Sequence, residues 1–196
     1  MTLFELDTQL LQWINHNRLR PLDDLMIFIT DTAYLAAVLV ALGVYFYGRY
    51  KKDWLLSFRG KQLIVAFLLN SVLITILKYS INRERPFTNN PLIEKLSSGG
   101  SPSFPSGHTA DAILIATSVF LLFPKQRWIL TLVAAWALIV AYSRMALGVH
   151  YPADVLCSVF IGISIAFITH SYFKKRLIVE RLQCPELAAE LKVGRY

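Results

Sequence analysis

Five stretches of the chain are apolar enough to leave water: Leu25 to Tyr47, Gln62 to Leu77, Thr109 to Phe123, Trp128 to Tyr142 and Ala153 to Phe173. The first and last come near the ~20 residues that a membrane span needs, each carrying one charge, Asp31 and Asp154 respectively. The three between them are shorter. Their clustering, with no polar segment of domain size among them, predicts a membrane bundle and not a soluble core. Ahead of them Leu3, Leu6, Leu10, Trp13 and Ile14 recur at helical spacing. That pattern predicts an amphipathic helix, either lying on the membrane surface or capping the bundle as a solvated element. The expected fold is all-α: an integral-membrane bundle of about five transmembrane helices plus an N-terminal interfacial helix. Residues 1–196 read as one membrane-embedded domain, with an interfacial segment 1–24, a bundle 25–173 and a basic tail 174–196.

Composition points the same way, since 55% of residues are hydrophobic and 17% charged, with a mean hydropathy of +0.48. Soluble domains carry roughly a quarter of their residues as charges. The net charge of +7 raises nucleic acid as a partner, and its distribution argues against that. Arg49, Lys51, Lys52, Arg59 and Lys61 lie between the first two spans, and Lys125 and Arg127 between the third and fourth. Lys174, Lys175, Arg176, Arg181, Lys192 and Arg195 follow the fifth. Alternating spans put all three groups on one side, which the positive-inside rule makes cytoplasmic. The N-terminus, the loop from Lys78 to Gly107 and the loop from Ser143 to Tyr151 then lie outside. Met1 to Asn17 carries Glu5 and Asp7 and lacks the basic start of a signal peptide. Cys157 and Cys184 fall at different depths and have neither metal-ligand nor redox spacing.

Three polar clusters stand at the outer ends of predicted spans: Lys78 to Pro86, Ser103 to Thr109, and Ser143 to Asp154. Lys78, Arg83, Arg85 and Arg144 concentrate positive charge at a hydrocarbon boundary, where unpaired charge is costly. A phosphoryl group suits them, because arginine offers its oxygens a planar fork and lysine a point charge. Pro105 and Gly107 shape a turn whose backbone N–H groups, with the helix dipole behind them, can face an anion. His150 and Asp154 are four residues apart, so in a helix they share a face. The carboxylate can then hold one ring nitrogen protonated and leave the other to attack. His108, across the anion, could protonate a leaving oxygen. Phosphoryl transfer needs chiefly positioning and charge neutralisation, which cations can supply without a metal.

Together these clusters resemble the three-part signature of the type 2 phosphatidic acid phosphatase superfamily. The matching positions are Lys78-x6-Arg85-Pro86, Pro105-Ser106-Gly107-His108 and Ser143-Arg144-x5-His150-x3-Asp154, all present, in order and at the right spacing. The resemblance implies a lipid phosphatase in which His150 forms a phosphohistidine, Asp154 orients it and His108 is the general acid. It implies phosphate binding by Lys78, Arg85 and Arg144, assisted by Ser106 and the Gly107 amide. Ser143 either anchors its loop or touches phosphate. No metal or other cofactor is implied, and the partners are a membrane lipid substrate and the bilayer. Small size and an outward site resemble bacterial inner-membrane enzymes that act on undecaprenyl pyrophosphate, with lipid A 1-phosphate and phosphatidylglycerol phosphate close behind. A lipid phosphotransferase would share the phosphohistidine, and a transporter would show repeats or broken helices, which are not evident.

The remaining polar residues read less sharply. Arg83 lies outside the signature and is divided between headgroup contact or solvation and substrate contact. Asp111 either tunes His108 or favours its helix start. Asp31 is expected to be buried against a polar partner, and His16 and His170 to lie at the surface. Trp13, Trp54, Trp128 and Tyr172 fit an interfacial aromatic belt. The stretch from Asn89 to Ser103 predicts a loop lining or covering the site. The sequence sets no oligomeric state.

Overall fold

In the computed structural model residues 2–183 are described. Cys184, Lys192 and Arg195, assigned above to a cytoplasmic tail, lie outside the described residues. The elements are α1 (Leu3–His16), a 3₁₀ turn (Arg20–Leu22), α2 (Asp23–Tyr50), α3 (Trp54–Ile81), a short α4 (Pro86–Asn89), α5 (Gly107–Leu122), α6 (Arg127–Ala146) and α7 (Pro152–Gln183). Each predicted span lies essentially within one helix (α2, α3, α5, α6 or α7). Four of them are long and apolar enough to cross a membrane, and α5, with 16 residues, is shorter.

Local sequence sets the helix ends. Thr2 and Glu5 form a reciprocal capping box at the start of α1, with bonds of 3.2 and 2.8 Å. The Asp53 carboxylate accepts from the Leu56 amide at 2.9 Å and so starts α3. Asn82, at φ 48, ends it in the left-handed region that Asn tolerates better than most side chains.

Helix α5 touches α2, α3, α6 and α7 and is buried almost all round, through residues such as Ala110, Ala112, Leu114, Ile115 and Val119. That is why its apolar character shows no polar stripe. Helix α2 turns mostly small residues inward and large ones outward. In α2 the inner row is Ala33, Ala37, Ala41 and Gly48, while Leu35, Leu39 and Phe46 are exposed. Small residues let helices approach where no hydrophobic effect drives them together, and the large outward ones meet lipid. Asp31, expected to be buried, is exposed on this helix, and its charge still acts on Arg144. His16 is exposed as expected, whereas His170 is half-buried with an unpartnered Nδ1.

Helix α1 docks across the ends of α6 and α7, and of the stripe the spacing singled out only Ile14 packs inward, against Met26, Ala146 and Leu147. Leu11 and Asn15 turn inward, and Leu11 packs with Ile93 and Tyr151. Asn15 Nδ2 donates to the Ala146 carbonyl at 2.8 Å, and its Oδ1 accepts from the Glu94 amide at 2.9 Å. Arg18 adds ion pairs to Asp23 and Glu94. Leu3, Leu6, Leu10 and Trp13 stay exposed, the disposition of a helix lying in the interface. The polar docking and the apolar outer face thus combine the two readings of this helix.

Candidate active site

The antiparallel run of the helices brings the end of α3, the start of α5, the end of α6 and the start of α7 to one end of the bundle, where they enclose a cavity of about 370 Å³. Lys78, Arg85, Gly107, His108, Arg144 and His150 all line it, although they come from three separate stretches of sequence. Ser98 to Ser101 form one wall, so the loop predicted from Asn89 to Ser103 does line the site.

The cations are held from behind. Lys78 Nζ donates to the Pro102 carbonyl at 2.7 Å. Arg85 precedes a proline, which favours the extended backbone it adopts. Its Nε donates to the Ser101 carbonyl at 2.8 Å and its Nη1 to the Val149 carbonyl at 3.0 Å. The loop can lie on this guanidinium because residue 99 is glycine; a Cβ there would stand 2.7 Å from Nη1. Arg144 is 1% exposed, donates from Nη1 to Thr30 Oγ1 at 3.1 Å, and keeps a buried Nε without a protein partner. Buried charged donors seldom stay unpaired, so this group calls for an anion.

Past α6 the chain reverses tightly, with the amides of Val149 and His150 both donating to the Arg144 carbonyl at 3.2 Å. Gly148 makes the turn at φ +72. His150 therefore precedes α7 and does not share a helix with Asp154 as the spacing suggested. The two meet because the Asp154 side chain folds back over the start of α7. Its Oδ2 accepts from the Tyr151 amide at 3.0 Å and from the Ser103 hydroxyl at 2.5 Å. His150 Nδ1 stands 3.6 Å from that same oxygen, beyond hydrogen-bond length, and has no other partner. With Nδ1 on the carboxylate side, the second ring nitrogen is the one left for the cavity. Burial pulls the imidazole down to about 3, with Arg144 and Arg85 adding to the effect and Asp154 opposing it. The ring is accordingly neutral in the folded protein at ordinary pH.

Two signature residues stand back from the cavity. The Ser106 amide donates to Ser158 Oγ at 2.7 Å and its hydroxyl pairs with Thr109 at 3.0 Å. Ser143 donates to the Val140 carbonyl of its own helix at 2.7 Å. Asp111 lines the cavity one turn below His108 and accepts from Asn70 at 2.8 Å. Arg83, left open between headgroup and substrate contact, pairs with Asp154 and Asp7. Tyr34 and Asp7 are contributors that motif reading missed, and Ser103, at the head of the second cluster, was given no role there. Asp7 left a trace in the sequence: it interrupts the apolar stripe, four residues after Leu3 and three before Leu10. Among the described residues no three His, Cys, Asp or Glu side chains gather as a metal-ligand set.

Residues 59–178 match the family model of the PAP2 superfamily. The undecaprenyl-diphosphatase BcrC of Bacillus subtilis is 30% identical over 154 residues, covering 79% of this chain and 75% of that protein. The crystal structure of Aquifex aeolicus LpxE superposes with a TM-score of 0.67 at 32% identity, over 84% of this chain and 94% of that one. A transmembrane PAP2-type phosphatidylglycerolphosphate phosphatase from Bacillus subtilis gives a TM-score of 0.68 at 26% identity, over 87% and 86% of the two chains.

Proposed function

Because the chain belongs to the PAP2 superfamily, a family of membrane lipid phosphatases, we propose that it hydrolyses undecaprenyl pyrophosphate to the monophosphate and inorganic phosphate. The observation that carries this reading is the convergence of Lys78, Arg85 and the incompletely paired Arg144 on a cavity that a neutral histidine lines.

In the proposed reaction the three cations and the Gly107 amide hold the terminal phosphoryl oxygens. The cavity-side nitrogen of His150 attacks phosphorus as the bond to the lipid phosphate breaks. His108, protonated once the anionic substrate offsets the cations around it, gives its proton to that leaving oxygen. Water then enters, His108 takes a proton from it, and the P–N bond breaks to release inorganic phosphate. Asp154 stabilises the imidazolium that forms when the ring is phosphorylated. Charge neutralisation comes from Lys78, Arg85 and Arg144, so the proposed reaction needs no metal. The basic residues at the opposite end, Arg49, Lys52 and Lys61 among them, support a cytoplasmic assignment of that end. The site is then proposed to face the periplasm or cell exterior from the inner membrane. Phosphatidylglycerol phosphate is the second reading for substrate, favoured by the Bacillus subtilis structural neighbour.

The test is phosphate release by detergent-purified protein in excess EDTA, against undecaprenyl pyrophosphate, phosphatidylglycerol phosphate, lipid A and phosphatidic acid. EDTA-resistant release, fastest from undecaprenyl pyrophosphate, is expected, with His150→Ala slower by ~10³-fold or more. Equal rates in wild type and variant would remove His150 as nucleophile. Preference for another lipid would replace the substrate and leave the mechanism standing.

A further inference from the structure

Arg83 is a fourth cation at this end of the bundle, yet unlike Lys78, Arg85 and Arg144 it does not line the phosphate cavity. Its guanidinium lies between two carboxylates from opposite ends of the sequence. Nη1 donates to Asp154 Oδ1 at 2.5 Å and Nη2 to Asp7 Oδ2 at 2.8 Å. The face of the Tyr151 ring lies against it, 3.9 Å from Cζ to the ring centre, and fixes the plane of the fork. The backbone of the same residue also reaches Asp154 by a second route. The Arg83 carbonyl accepts from the Ser103 amide at 2.7 Å, and the Ser103 hydroxyl donates to Asp154 Oδ2. Arg83 thus holds one carboxylate oxygen directly and places the group that holds the other.

We propose that Arg83 is a positioning residue for the Asp154–His150 pair, and that Asp7 makes α1 part of the same support. The inference rests on the phosphohistidine reading given above. Asp154 is fully buried, and its oxygens are taken up by Arg83, Ser103 and the Tyr151 amide, so its plane is set before the imidazole approaches. Only a shift of about half an ångström separates Oδ2 from a hydrogen bond to Nδ1. That bond matters most when the ring acquires charge on forming the P–N bond. Asp7 fixes the other end of the assembly. Its Oδ1 accepts from the Ala153 amide at 2.9 Å, one of the unpaired N–H groups of the first turn of α7, while its Oδ2 holds Arg83. The start of α7, the end of α3 and the N-terminal helix are therefore joined at the carboxylate that faces the nucleophile. A lysine at 83 could meet one carboxylate but could not span both with a planar fork.

The experiment measures kcat and KM for lipid pyrophosphate with wild type, Arg83→Gln, Arg83→Lys, Asp7→Asn and His150→Ala, each checked for monodisperse elution and helical circular dichroism. A misplacement of about an ångström costs ~10²-fold, so Arg83→Gln is expected to lower kcat ~10- to 100-fold with KM within about twofold of wild type. Arg83→Lys should fall between the two, and Asp7→Asn should lower kcat less than Arg83→Gln. Adding Asp7→Asn to Arg83→Gln should cost nothing further, because the link is already broken. A wild-type kcat in Arg83→Gln, or a raised KM at unchanged kcat, would overturn the inference; the latter would make Arg83 a phosphate contact. If Arg83→Gln does not fold, Arg83→Lys and Asp7→Asn decide the matter, since wild-type kcat in both overturns it. An inactive His150→Ala beside a fully active Arg83→Gln removes the inference alone. An active His150→Ala removes the phosphohistidine reading and the inference with it.

Discussion

His150 is neutral in the folded protein at the expense of stability in acid. Its imidazole binds a proton near 6.5 in the unfolded chain and only near 3 when buried beside Arg144 and Arg85. Below about pH 6.5 the unfolded state takes up the proton and the folded state does not, so stability falls as the pH drops toward 3. At pH 5 the loss attributable to this one ring is on the order of 2 kcal/mol. Thermal melts in detergent at pH 7 and pH 5 should therefore differ more for wild type than for His150→Gln; identical differences would show that the ring is not held neutral. The residues that line the cavity, Lys78, Arg85, Gly107, His108, Arg144 and His150, were legible in the sequence because chemistry restricts their type and spacing. The groups behind them were not. Ser103 and Asp154 are 51 positions apart, and Arg83 and Asp7 are 76 apart, so no local pattern links either pair. Ser106 and Ser143 belong to the signature too, but their hydroxyls pair with nearby groups, Thr109 and the Val140 carbonyl.

At the scale of elements, hydrophobic runs located all five spans, because a lipid-facing helix must be apolar along most of its length. The runs under-reported α3, which begins at Trp54 rather than Gln62, since its first turns carry Arg59 and Lys61 at the end rich in basic residues. They also could not show that the His150–Asp154 spacing works through a turn. That turn depends on Gly148. A Cβ there would stand 3.0 Å from Ile93 Cγ2 and 3.1 Å from Asn15 Nδ2, and closer still to the Glu94 carbonyl oxygen, in a conformation that side chains avoid. Gly148→Ala should cost ~1–3 kcal/mol from the backbone alone, with more from the clash. A lower melting temperature and reduced phosphate release are expected together; an unchanged melt would show that the loop over α1 yields without cost.

For the whole molecule, basic residues gather at one end and the cavity at the other, which is the basis of the proposed orientation. With Cys157 and Cys184 replaced by serine, a membrane-impermeant maleimide should label Ser98→Cys on intact cells and Lys125→Cys only after lysis. The reverse pattern would invert the topology. Helix α5 carries a further consequence. Its 16 residues rise about 24 Å, while the hydrocarbon layer is ~30 Å thick and the neighbouring helices are longer. On the proposed orientation, an α5 start set back from the headgroup plane would open His108 and the cations around it onto a recess inside the leaflet. A lipid could then bring its phosphate there by drifting sideways, without any of its hydrocarbon being hauled into water. Lateral diffusion would be the delivery route.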